Sequence, residues 1–317
     1  MKAFANKKTR RILNLSRKLE NRQLLKGYIF AIGATAIWSA NFIIARGLSD
    51  SISPITLAFW RWIVAVLVFL PFALKRLILE WSIVKKHIPY LTLTAFLGIT
   101  TFNTLIYFAG HTTTAINLSL ISITFPIFII ILSRLFFKDL FTLNKAIGIL
   151  LVAAGVVSLI TKGDFSKLLN LSFAIGDLWM LIASIIFAFY SIILRRKPEE
   201  LSIWTLQLST FILGLIMLFP LFILDTQIST PPVFEIKIIL AIFYVGIFAS
   251  LSAFVLWNEA VAAVGPSKAG MVYYTLPLFS GFLAWYFLGE EISIVHFYSM
   301  LLIVPGILLA NYEPEKV

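Results

Sequence analysis

Residues 238–257 read IILAIFYVGIFASLSAFVLW, twenty residues without a charge. A run of that length matches the ~20 residues an α-helix needs to cross a bilayer core. In lipid the backbone must satisfy its own hydrogen bonds, so only helices and closed barrels span it. Barrel strands alternate apolar and polar residues, and this run does not alternate. Neither do the chain's other apolar blocks. The 317 residues are 60% hydrophobic and 13% charged, against about 45–50% and about 25% in an ordinary soluble domain. The expectation is an all-α, multi-pass membrane protein.

Apolar blocks place ten spans, near 27–45, 54–74, 88–110, 114–137 and 142–161, then 174–194, 201–224, 237–257, 267–288 and 293–312. Cations orient them, because Lys and Arg concentrate on the cytoplasmic side. With the N-terminus inside, 21 of the 26 Lys/Arg fall on the inner side. Nine of these lie in residues 1–26, which are expected to form a basic cytoplasmic tail near anionic lipid rather than a nucleic-acid arm. Ile12, Leu15 and Leu19 sit at helical spacing there, which suits a short interfacial helix. The outer side keeps Arg46, Arg61, Lys162, Lys167 and Lys237. Both termini are expected in the cytoplasm. The first apolar block starts late and continues as a full span, so no cleavable signal is expected.

The phrase FLPFALKR (69–76) returns as LFPLFILD (218–225), offset by 149 residues, with cations replaced by an anion at its tail. The same offset lays ATAIWSANFIIAR (34–46) over ASIIFAFYSIILR (183–195). At an offset of 151, Pro126 meets Pro277, Asp139 meets Glu290 and Gly155 meets Gly306; Gly98 and Gly246 pair at 148. An odd number of spans between copies puts equivalent ends on opposite sides of the membrane. Pro71 is then expected to end span two inside, and Pro220 to end span seven outside. The chain reads as two five-helix repeats, 27–161 and an inverted 174–312. Inverted repeats give alternating access around a central site, because each half can adopt the shape its partner leaves.

Several motifs carry a family resemblance. They are IWSANF (37–42), AFWRW (58–62), Pro126 in span four with an acid after it, AVAAVGPSKAGMVYYTLPLFSGFLAWYFLGEEIS (260–293) and PG at 305–306. Together they resemble the EamA-type, ten-helix branch of the drug/metabolite transporter superfamily over residues 27–312. The resemblance implies a basket in which helices 1–4 and 6–9 surround the substrate path, with 5 and 10 at its side. Its members move amino acids, other small metabolites or drugs. In the 5/10 pair, Ala154/Ser158 and Gly306/Ala310 give small residues at four-residue spacing, which suits close packing.

Polar groups inside spans are costly, so they mark candidate sites. The candidate substrate-binding residues are Trp38, Asn41, Arg61, Asn103, Tyr107, Tyr190, Trp257, Asn258, Tyr273 and Tyr274. Aromatic walls with a few amides suit a small amphipathic solute. Each residue alone has a plainer reading, since Trp and Tyr also gather at membrane interfaces. Arg61, about two turns into span two, either snorkels outward or grips a carboxylate or phosphate. Asp177, Glu259 and Lys268 are candidates for coupling or gating. Asp177 has the plainer reading of a solvated helix-start acid, and Glu259 could pair with Lys268 across a short turn. Asp139 and Glu290 are expected at the N-terminus of the helix that follows each. Span one lacks an acid, which disfavours proton antiport through a carboxylate buried there.

The chain has no cysteine, which excludes disulfides and thiolate metal sites. No His/Glu cluster has metal-ligand spacing and no glycine run forms a phosphate loop, so neither metal nor cofactor is expected. The leading reading is a secondary transporter of small metabolites, foremost amino acids or related compounds, in the cell (inner) membrane. Its partners would be a small-molecule substrate and the lipid bilayer, without nucleic acid, and it would act as a monomer or homodimer. The alternatives are a lipid or lipid-linked-sugar flippase and, behind it, a membrane-embedded enzyme, for which no catalytic constellation is visible.

Overall fold

The computed structural model describes residues 2–138, 141–164, 174–194, 196–264 and 266–312. Its side-chain description begins at Arg22 and omits 160, 266–268, 271 and 311. The described residues form helices and no strands. In chain order these are α1 (Lys2–Gly47), α2 (Pro54–Leu79), the short α3 (Trp81–Lys86), α4 (Ile88–Gly110), α5 (Ala115–Phe137) and α6 (Leu143–Thr161). There follow α7 (Ile175–Leu194), α8 (Ile203–Ile228), α9 (Ile236–Val264), α10 (Pro266–Tyr273), α11 (Leu276–Leu288) and α12 (Ile294–Asn311). Among the described residues, seven helices are long and apolar enough to cross a membrane: α2, α4, α5, α7, α8, α9 and the Arg22–Gly47 part of α1. Shorter apolar helices lie at Leu143–Leu159, Leu276–Leu288 and Ile294–Ala310.

The helix starts are written in the sequence. The Ser53 hydroxyl accepts from the Thr56 N–H, Ser202 from Thr205, Thr114 from Asn117 and Thr142 from Lys145. Each supplies one of the acceptors that the first helical turn lacks. Ser53/Thr56 and Ser202/Thr205 are equivalent positions at the 149-residue offset. The ends of α5 and α11 also correspond. Lys138 (φ 58°) and Gly289 (φ 65°) each turn left-handed to close their helix.

Irregularities recur in register too. In α4 the backbone widens to a π-helix over Phe96–Thr101, and in α9 over Tyr244–Ser252. Gly98 and Gly246 are the third residue of each segment. The carbonyls freed by the wide turn take side-chain donors five residues on. Asn103 Nδ2 donates to Gly98 O at 2.8 Å, and the Ser250 hydroxyl to Val245 O at 2.7 Å. The helical path also breaks at 123–124 in α5 and at 274–275 between α10 and α11. Pro126 and Pro277 explain both breaks, because proline lacks an N–H and crowds the carbonyl four residues back.

Two expectations are corrected. Pro71 and Pro220 do not end their spans; both lie inside helices, which run on to Leu79 and Ile228. A helix within apolar surroundings tolerates a proline where neighbours re-satisfy the freed carbonyl, and nothing polar follows either one for three residues. The basic stretch at 75–87 is the end of α2 followed by α3. Likewise α1 is one continuous helix from Lys2, in place of a short interfacial helix followed by a span.

Contacts between the repeats exchange pairwise. α1 packs on α9 and on α10/α11, while its equivalent α7 packs on α4 and α5. α2 packs on its own equivalent α8, and α6 on α12. The α2/α8 pair runs antiparallel, held at both ends by acids. Glu80, just past α2, accepts the Ser202 N–H at the start of α8 (3.0 Å). Asp225, near the end of α8, accepts the hydroxyls of Ser53 and Thr56 at the start of α2. The α6/α12 pair is also antiparallel and very close. A Cβ added to Gly148 would sit 2.4 Å from Gly306 O, and one added to Gly155 would sit 2.6 Å from Ile303. Small residues do make this contact, but α6 supplies Gly148 and Gly155; the expected Ala154 faces outward.

Candidate functional site

α2 carries Arg61 about two turns from its start, roughly 10 Å along the helix at 1.5 Å per residue. The side chain is fully buried and does not snorkel. Its Nε donates to the Ser250 hydroxyl in the π-segment of α9 (2.6 Å) and its Nη1 to the Tyr107 hydroxyl in α4 (2.7 Å). Tyr107 in turn donates to Asn41 Oδ1 on α1 (3.1 Å). One guanidinium therefore ties α1, α2 and α4 of the first repeat to α9 of the second. Gly246 makes the approach possible, since a Cβ there would lie 2.9 Å from Arg61 O and 2.6 Å from Val64. The Arg61 guanidinium carbon lies 5.0 Å from the Trp62 ring centre and 5.6 Å from that of Tyr107, within cation–π range.

Next to this set stands an aromatic cluster. Trp38 lies 5.5 Å from Trp257, 5.7 Å from Phe254 and 6.0 Å from Tyr273, ring centre to ring centre. Its indole N–H donates to Ala249 O at 2.9 Å. Phe254 also contacts Trp62 at 6.2 Å, which links the cluster to the guanidinium. Asn258 Nδ2 donates to Gln207 Oε1 at 3.0 Å, joining α9 to α8. Nine of the ten candidate binding residues thus fall into one connected interior region, counting Asn103, which braces the π-turn of α4, and Tyr190, which reaches Tyr273 through Phe187 and Phe125. Tyr190 packs its ring over Gly98 and stacks on Phe187 (5.5 Å), further along α7. Tyr274 is buried at the 274–275 break.

The coupling candidates separate. Asp177 is not a solvated helix-start acid. It is buried, and its Oδ1 accepts from the Thr113 hydroxyl and from Asn117 Nδ2 (3.2 Å) at the start of α5. Glu290 binds the same helix start, accepting the N–H groups of Ala115 (2.8 Å) and Ile116 (3.1 Å). It therefore serves α5 and not the helix that follows it, because the chain reversal at Gly289 aims it there. Glu259 is exposed, and the side chain of Lys268 lies outside the described residues, as does Asp139.

Sequence reasoning missed Ser250, Trp62, Gln207 and Asn117. Gln207 was the most accessible of them. It is an amide within an apolar span, the kind of group whose cost marks a site.

Comparison with known proteins bears out the family resemblance. The EamA-like transporter family model matches residues 25–161 and again 174–312. The chain belongs to the EamA-like transporter family. It is 24% identical over 284 residues to the uncharacterized transporter YyaM of Bacillus subtilis (strain 168), covering 90% of this chain and 93% of that one. It is 25% identical over 288 residues to an uncharacterized transporter of Archaeoglobus fulgidus, covering 88% and 95%. A solved crystal structure at 20% identity superposes with a TM-score of 0.63 over 90% of this chain and 95% of that chain, a likeness of fold.

Proposed function

We propose that this membrane protein is a secondary transporter that carries small metabolites, foremost amino acids or related compounds, across the cell (inner) membrane by alternating access. In this reading ten helices span the membrane as two inverted repeats, 27–161 and 174–312. The basic tail of residues 1–26 and the C-terminus lie in the cytoplasm, and no step of catalysis is required. The observation that carries the reading is the Arg61–Tyr107–Asn41–Ser250 set, which sits where the two repeats meet. A charged network placed between antiparallel halves can be exposed first to one side and then to the other as the halves rock. The candidate binding residues, with Asp177, Glu259 and Lys268 as coupling or gating groups, belong to this proposal.

The test is solute flux in proteoliposomes loaded with labelled amino acids, polyamines and nucleotides. Saturable flux of one class is expected, with a marked loss in Asn41→Ala protein. Movement of labelled lipid without any solute flux would replace the reading with a flippase.

A further inference from the structure

Arg61 is an arginine without an acid. The ion pairs Arg76–Glu80 and Lys86–Glu200 lie outside the apolar spans. Arg61 meets only neutral acceptors, the hydroxyls of Ser250 and Tyr107. Arginine stays protonated in proteins, and a buried charge without a counter-charge is costly. The two hydrogen bonds and two ring faces offset only part of that cost.

On α2 and the facing α8, the buried groups without a hydrogen-bond partner are three N–H donors and the Ser209 hydroxyl, which can donate as well as accept. The N–H donors are Arg61 Nη2, Trp62 Nε1 and Gln207 Nε2. Trp62 stands beside the guanidinium, and its ring packs on Phe211 at 4.7 Å, one turn along α8 from Gln207. Unmade donors in an apolar region each carry a desolvation cost. An ionised carboxylate is an acceptor only, with about four lone-pair sites and a full negative charge. It answers both the charge and the donors. An ammonium answers neither, since it brings only donors and a second positive charge.

We propose that Arg61, with Trp62 and Gln207, forms the binding point for a carboxylate of the transported solute, so that the protein selects solutes bearing a carboxylate over their neutral or amine counterparts. This rests on the transport reading, and it narrows the substrate class of that same site. The aromatic cluster of Trp38, Phe254 and Trp257 would face the apolar part of the solute.

Two readouts separate this from transport itself. In detergent, the tryptophan fluorescence of the wild-type protein is titrated with L-leucine, L-phenylalanine and L-glutamate, each against its amide and its decarboxylated amine. In proteoliposomes, flux of the same compounds is followed. At least one acid is expected to bind about tenfold or more tightly than its amide or amine, the usual worth of a charge-assisted hydrogen bond. Arg61→Gln should abolish that discrimination, while Arg61→Lys keeps part of it. No acid-induced fluorescence change at millimolar concentrations, or amines and amides bound as well as acids, overturns the proposal. That result comes from wild-type protein and does not depend on whether a variant folds. Acid-selective binding without flux would instead keep the carboxylate site and refute transport.

Discussion

Arg61 shows how much one side chain can decide. Tyr107, Asn41 and Ser250 are unremarkable polar residues until they are arranged around a guanidinium that no acid neutralises. The sequence marks Arg61 as interior or snorkelling, and only packing chooses between the two. Asp177 was harder still to read, because its partners Thr113 and Asn117 are some sixty residues away and no local pattern announces them. Glu80 offers a test at this scale. Burial pushes its pKa up, but the Ser202 N–H, the hydroxyls of Thr205 and Ser202, and the Arg76 guanidinium together outweigh that and hold it below the ordinary 4.5. A depressed carboxylate stabilises the fold fully above its unfolded pKa, and that stability is lost as pH falls through the folded value. Thermal unfolding of Glu80→Gln protein should therefore come earlier than wild type at neutral pH. The two should converge as the pH drops below 4.5. A gap unchanged down to acid pH would refute the ionic part of this cap.

At the scale of elements, seven of the ten expected spans were legible as long apolar helices, because long uncharged runs have few other folds open to them. The ends of the helices were less so. A span stops being apolar where the bilayer stops, but the helix can continue, as α2 does through Lys75 and Arg76 to Leu79. Pro71 and Pro220 looked like terminators because proline usually is one outside lipid. The breaks in α5 and between α10 and α11, and the π-turns at Gly98 and Gly246, were foreshadowed by prolines and glycines in register, though not as π-helix. Close packing of α6 on α12 rests on Gly148 and Gly155. Gly148→Val forces a side chain into the Gly306 carbonyl and should lower stability by about 1–3 kcal/mol, as overpacking does. Ala154→Val, on the outward face of the same helix, should leave the melting temperature unchanged. Equal effects from the two would show that the helices do not meet along the glycine face.

At the scale of the whole molecule, two halves of one design cap each other in return. Glu80 holds the start of α8 and Asp225 the start of α2. If the halves are inserted in opposite directions, the ends of α2 and α8 lie on opposite faces of the membrane. The chain has no cysteine, so single cysteines are unambiguous reporters. Arg76→Cys should react with an impermeant maleimide only after the inner face is opened, whereas Gln227→Cys, on the exposed end of α8, should react in intact cells. Reaction of both from one side would sink the inverted insertion. The duplication was readable because equivalent residues fall at nearly constant offsets. The route of a solute was not, because it depends on which donors packing leaves without acceptors. The central claim, a carrier that alternates between two faces, is tested most directly by counterflow. Vesicles are loaded with unlabelled solute of the class identified by flux, and trace labelled solute is supplied outside. An alternating carrier predicts transient uphill accumulation of the label, driven by exchange through one site that faces each side in turn. Label that only equilibrates, with no overshoot at any internal concentration, would contradict it.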